Sequence, residues 1–136
     1  MLVVDASAIA ELVLARPAAE EIERHIAAHR YAMHAPQLLD IEVLSALRRV
    51  VASGETSSLR AAEAVTDLLD LPVERYPHDV LVPRAWELRD NFSAYDAVYL
   101  ALAEALLEGG VPLLTADTRL ARAVGQHSDV EVLVVG

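Results

Sequence analysis

The chain has 136 residues, 54% of them hydrophobic, and a formal net charge of −10; this suffices for a sizeable core, and residues 1–136 are expected to form a single domain. It contains no cysteine, which excludes disulfides, thiolate metal sites and a cysteine nucleophile. All 11 basic residues are arginine, so chemistry that needs a lysine, such as a P-loop or a Schiff base, is excluded too.

The elements alternate along the chain. Residues 2–5 (Leu-Val-Val-Asp) are a short apolar run ending in a carboxylate and are expected to form a buried strand. Residues 7–15 and 18–30 have helical composition and are separated by Pro17; Ser7 can cap the first. Residues 31–34 are a possible short strand. Pro36 opens a helix to about residue 52, ended by Ser53-Gly54. A further helix over 57–70 leads to a strand from Leu71 to Tyr76. Residues 79–90 and 94–108 are helical, the second stopped by Gly109-Gly110. Residues 111–115 form a strand, 117–124 a short helix and 130–135 a final strand. Short apolar strands separated by helices imply a parallel sheet covered on both faces. Ligands of such sheets bind beyond the carboxyl ends of the strands, where Asp5, Thr115 and Asp117 fall.

The start of the chain has no basic segment before a long apolar one, since Asp5 and Glu11 interrupt it, so no signal peptide is expected. No apolar run approaches the roughly 20 residues of a membrane span. A cytoplasmic protein with no membrane association is the expectation. The apolar surplus suggests an oligomer or a permanent partner.

The informative feature is acid on apolar faces. Glu42 lies among Leu38, Leu39, Ser45 and Ala46 at helical spacing, and Asp96 among Phe92, Ser93, Tyr99 and Leu100. Neither has a counter-charge there. A buried carboxylate without a partner costs several kcal/mol, so it is paired, protonated or bound to a metal. A hard cation such as Mg²⁺ or Mn²⁺ would relieve the repulsion among such acids. It would also bridge an acidic chain to a phosphate and lower the pKa of a bound water. Each acid alone has a plainer reading. Asp5 and Asp117 can cap the helices that follow them, Asp96 can favour a helix start, and Arg48 or Arg75 can pair with Glu42. Their order and spacing together favour a site.

At these residues the chain resembles the PIN-domain family, especially the VapC-type toxins of toxin–antitoxin pairs. The matching stretches are the strand ending in Asp5-Ala-Ser7, Glu42 in its leucine-rich helix, Ser93-Ala-Tyr-Asp96-Ala-Val-Tyr-Leu-Ala-Leu-Ala, and Leu113-Leu-Thr115-Ala-Asp117-Thr-Arg-Leu. The likeness runs from residue 1 to about 134; residues 54 to 90 are not diagnostic. It implies an α/β, PIN-like fold with a central parallel sheet of four or five strands flanked by helices. It implies Mg²⁺ or Mn²⁺ coordinated by Asp5, Glu42 and Asp96, directly or through water, with Asp117 in support and with Ser7 and Thr115 orienting the acids. The implied reaction is hydrolysis of RNA phosphodiesters by metal-activated water, on transfer or ribosomal RNA, inhibiting translation. The implied partners are a second copy, giving a homodimer, and a VapB-type antitoxin.

Arg119 and Arg122 on the last helix, Arg48-Arg49, and Arg84 or Arg89 could each meet a phosphate, and none is assigned. The five histidines show no convergent pattern. Phosphatases of the haloacid-dehalogenase type and receiver domains also end a first strand in aspartate, but both need a lysine. A catalytically silent PIN-like scaffold that binds a protein partner is the alternative; four retained acids favour activity.

Overall fold

The computed structural model describes residues 1–136. Five strands alternate with seven helices: β1 (Leu2–Val4), α1 (Ala6–Val13), α2 (Ala19–Ala28), β2 (Met33–Pro36), α3 (Leu38–Ala52), α4 (Ser58–Asp70), β3 (Val73–Tyr76), α5 (Val82–Glu87), α6 (Ala94–Leu106), β4 (Leu113–Thr115), α7 (Thr118–His127) and β5 (Val132–Val134). All strands are parallel, in the order β3-β2-β1-β4-β5. The α/β class and the flanked parallel sheet are as expected. No helix is long and apolar enough to cross a membrane.

The order follows from sequence chemistry. Leu2, Val3 and Val4 have no exposed surface and carry side chains suited to a strand covered on both faces, so β1 is central. The chain then moves outward through β2 to β3, returns, and places β4 on the other side of β1. The direction of winding reverses between β1 and β4, which opens a crevice at their carboxyl ends. Val3 and Val4 are in register with Leu113 and Leu114, so Asp5 and Thr115 emerge side by side there.

Helix α6 is the most deeply placed. Ala97 to Ala103 are buried without interruption, and the helix packs against β1, β2 and β4. Its alanines let it approach the sheet closely, while Leu100 and Leu102 fill the space to either side. It ends before Gly110, at φ +85°, where a Cβ would stand 3.1 Å from Val130 Cγ2 and 3.3 Å from the Ala103 carbonyl oxygen. Only glycine fits that turn comfortably. Helix α1 packs on α2, α3 and α4, and α7 on β4 and β5.

Some boundaries differ from expectation. Pro36 does not open a helix. It is the last residue of β2, opposite Tyr76, and the Gln37 amide continues the ladder by donating to the Tyr76 carbonyl at 2.9 Å. Helix α3 starts at Leu38, whose amide donates to His78 Nε2 at 2.9 Å, an acceptor from 40 residues away. The helix expected over 79–90 shrinks to six residues with Pro83 in its first turn; the flanking Leu81 and Leu88 are buried, but none of the six is.

Candidate active site

Asp5 leaves the central strand and caps α1 itself. Its Oδ1 accepts from the Ala8 amide at 3.0 Å and from Ser7 Oγ at 2.7 Å. Its Oδ2 accepts from Thr115 Oγ1 at 2.5 Å. Ser7 is therefore not the cap expected for this helix. Its hydroxyl is spent across the crevice, accepting from the Ala116 amide at 2.9 Å and lying 3.2 Å from Thr115 Oγ1. Thr115 Oγ1 in turn accepts from the Asp117 amide at 2.9 Å. Asp117 caps α7, accepting from the amides of Arg119 and Leu120. One hydrogen-bonded chain thus ties the ends of β1 and β4 together and orients two carboxylates. Capping and site formation are compatible here, because each cap leaves its carboxylate at the crevice.

Glu42 comes from α3. Neither Arg48 nor Arg75 pairs with it: Arg75, on β3, holds Asp40 of α3 in a two-pronged ion pair, 2.7 and 2.9 Å. Glu42 instead accepts from the hydroxyl of Tyr99, buried in α6, at 2.7 Å. Asp96 sits one turn before Tyr99, in the first turn of α6, and Ser93 caps that helix through the Asp96 amide. A cation does meet Asp96. Nη2 of Arg119 lies 3.0 Å from Asp96 Oδ2 and 3.3 Å from Asp117 Oδ2. The Arg119 side chain is 71% exposed, so this contact is made from the solvent side.

Electrostatics agree with the geometry. Burial pushes the Asp5 carboxyl up to about 6, against the hydrogen bonds from Thr115, Ala8 and Ser7, with the nearby Asp117 charge adding to the rise. Burial also raises Glu42, opposed by Tyr99; the Asp96 charge raises it further and Arg49 lowers it. Tyr99 is itself held far above the usual phenol range by burial and by Glu42.

All four expected acids, with Ser7, line one cleft of about 560 Å³. Thr115 lies wholly buried beneath it. The remaining wall includes Leu38, Ile41, Arg49, Tyr95 and Tyr99. Tyr99 and Arg49 were not expected there. The first reads as one more core residue of an apolar helix, and the second shows only its i, i+7 relation to Glu42. No histidine lines the cleft. His29 is bonded to the His25 carbonyl, and buried His34 to Tyr76.

The donor set fits a hard divalent cation. Every acidic group facing the cleft is a carboxylate, with hydroxyls behind it and no thiol or imidazole. No three acids are drawn together closely enough to hold an ion by themselves. Mg²⁺ and Mn²⁺ keep several waters, so an ion in the cleft would reach some of these acids through water. Asp5, Glu42, Asp96 and Asp117 are the residues that would hold such an ion, through water where the gap is wide.

A family model described as the PIN domain matches residues 2–126. Ribonuclease VapC12 of Mycobacterium tuberculosis is 38% identical, over 98% of this chain and 99% of its own length. Ribonuclease VapC1 of the same organism is 42% identical over 96% of each chain. Among solved structures, PAE2754 from Pyrobaculum aerophilum superposes with a TM-score of 0.65 at 25% identity, covering 96% of this chain and 81% of that one. Mycobacterium tuberculosis VapC20, described as a toxin that cleaves the sarcin-ricin loop, superposes with a TM-score of 0.68 over 90% of this chain and 95% of that one; at 20% identity it speaks for the fold alone. The chain belongs to the PIN-domain family, among relatives named VapC ribonucleases.

Proposed function

We propose that this chain is a metal-dependent endoribonuclease and the toxin of a VapBC-type pair. The observation that supports this best is the convergence of four carboxylates, from four separate elements, on one cleft at the switch point of the sheet. A divalent cation held there, Mg²⁺ or Mn²⁺, would supply a more acidic bound water and an offset to charge on the phosphate. Asp5, fixed by three donors, and Glu42, fixed by Tyr99, present oxygens in set directions. Asp96 and Asp117, which hold Arg119 here, would turn to the ion when it is bound. Ser7 and Thr115 would hold the acids in place. The substrate class is RNA of the translation machinery, transfer or ribosomal, and cleavage inhibits translation.

The partners in this reading are a VapB-type antitoxin and a second copy of the chain, acting in the cytoplasm. Ile41, Leu44, Leu59 and Leu69 leave apolar surface for such contacts. The test is incubation of total cellular RNA with the purified chain, free of antitoxin, in Mn²⁺. Discrete fragments that vanish with chelator and with Asp5→Asn are the expected result. Cleavage that survives Asp5→Asn would place the chemistry elsewhere. No cleavage by a well-folded, metal-binding protein would favour a silent scaffold.

A further inference from the structure

A chain of charge −10 must hold RNA with very few cations. Arg16, Arg60, Arg75, Arg84 and Arg119 are each ion-paired to carboxylates of the chain itself. Of the other arginines, only Arg49 lines the cleft. It stands seven residues after Glu42 on α3, two turns on, so it shares the cleft face of that helix about 10 Å further along. Its charge still acts on Glu42, so a phosphate next to the one at the carboxylates would lie within its reach.

The cleft also presents one solvent-facing aromatic ring. Tyr95 is 62% exposed, although α6 is buried continuously from Ala97 onward. It directly precedes Asp96. Tyr99, the other ring in the cleft wall, is buried and hydrogen-bonded to Glu42. Trp86, exposed elsewhere, is already covered by Arg89, 4.4 Å from its ring centre. An open ring beside a phosphate site is a stacking surface for an unpaired base, because every base has a π face.

We propose that Arg49 and Tyr95 form a nucleotide-binding subsite flanking the carboxylates, in which the guanidinium holds a phosphate next to the one cleaved and the ring stacks on an unpaired base. The subsite rests on the ribonuclease reading and assigns to Arg49 and Tyr95 the hold on the strand beside the carboxylates. Base-paired RNA cannot offer the face of a base to Tyr95 without opening.

The test uses a short fluorescein-labelled single-stranded oligoribonucleotide and the same strand annealed to its complement. Binding is followed by anisotropy in Ca²⁺ across a salt series, and cleavage in Mn²⁺. Tyr95→Leu is expected to weaken single-strand binding about tenfold, with Tyr95→Phe close to wild type. Duplex binding is unchanged by either. Arg49→Gln is expected to weaken binding and lower the salt-dependence slope by about 0.7, with Arg49→Lys retaining the slope. Mn²⁺ titration by thermal shift is unchanged in all four variants, which separates the subsite from the metal ligands. Wild-type cleavage with every variant indistinguishable from wild type overturns the subsite and leaves the ribonuclease intact. A wild type that neither binds nor cleaves either probe overturns both. Tyr95→Leu that alters oligomeric state while RNA binding stays constant assigns the ring to a protein contact and also overturns the subsite.

Discussion

Asp5 is the acid whose replacement tests the electrostatic argument most directly, through Asp5→Asn in the absence of divalent metal. The carboxyl is pushed from 3.8 to about 6 by burial. Between those values the unfolded chain loses its proton while the folded chain keeps it. Stability therefore falls as pH rises through that window, and the full cost is present above about pH 6. At 1.36 kcal/mol per tenfold difference in proton affinity, the cost at pH 7.5 is about 3 kcal/mol. Asparagine removes the charge and can keep the network. Its carbonyl oxygen accepts from Ser7 and Ala8, its amide donates to Thr115 Oγ1, and that hydroxyl turns to donate to Ser7. The assay is thermal unfolding in EDTA from pH 4 to pH 8, read as the difference in Tm between variant and wild type. The difference should be small at pH 4 and rise to roughly 10 °C in favour of the variant above pH 7. In Mn²⁺ at one thousand times Kd the order should reverse, since only the wild type gains binding energy, about 4.1 kcal/mol against a cost of about 3. A difference that does not change with pH, or a variant less stable at pH 8 than wild type, would refute the claim that Asp5 is held ionised at a cost.

Three further outcomes are expected. Tyr99→Phe removes the donor to half-buried Glu42, so it should cost roughly 1–2 kcal/mol of stability and move the acid limb of the cleavage pH profile upward, because Glu42 becomes harder to ionise. Arg119→Gln removes the cation lying between Asp96 and Asp117 and should tighten Mn²⁺ binding severalfold by calorimetry; an unchanged Kd would mean the arginine and the metal do not compete. Arg75→Met and Asp40→Leu should each destabilise by about 1–3 kcal/mol in urea unfolding, and the double variant by less than the sum, since the pair joins β3 to α3 and each partner is left unmatched alone.

Much of this site could be read from the chain before folding was known. A parallel sheet announces itself through short apolar strands, and ligands gather at the carboxyl ends of its strands, so Asp5 and Asp117 could be placed on a common edge. Glu42 stood out because the positions three and four away on α3 offered it no counter-charge. What could not be read were partners brought in by packing. Tyr99 meets Glu42 across 57 residues, and Arg119 meets Asp96 across 23. A tyrosine in an alanine-leucine helix looks like core, and an arginine after a helix cap looks solvated. Ser7 was misjudged for a related reason. Local spacing permits it to cap α1, but Thr115 and Ala116 compete for its hydroxyl from a strand 108 residues away. Strand edges at Pro36 were missed because proline suggests a helix start, whereas here its neighbour's amide is what carries the ladder.

The neighbouring placement of β1 and β4 has a consequence for the time at which the cleft comes into being. Asp5 is made before the other three acids, yet the hydroxyl that fixes its Oδ2 belongs to Thr115, 110 residues further on. A growing chain that has produced Asp5, Glu42 and Asp96 still has β1 as a sheet edge, with one of its acids unheld. Insertion of β4 against β1 supplies Thr115, Ser7's far partner and Asp117 in a single step. The cleft is thus completed late, when the end of β4 joins the contacts that Ser7, Ala8 and Tyr99 already make to Asp5 and Glu42. If the chain cuts RNA of the translation machinery, that order keeps its cleft incomplete on the ribosome until Thr115 and Asp117 have been made and folded against β1.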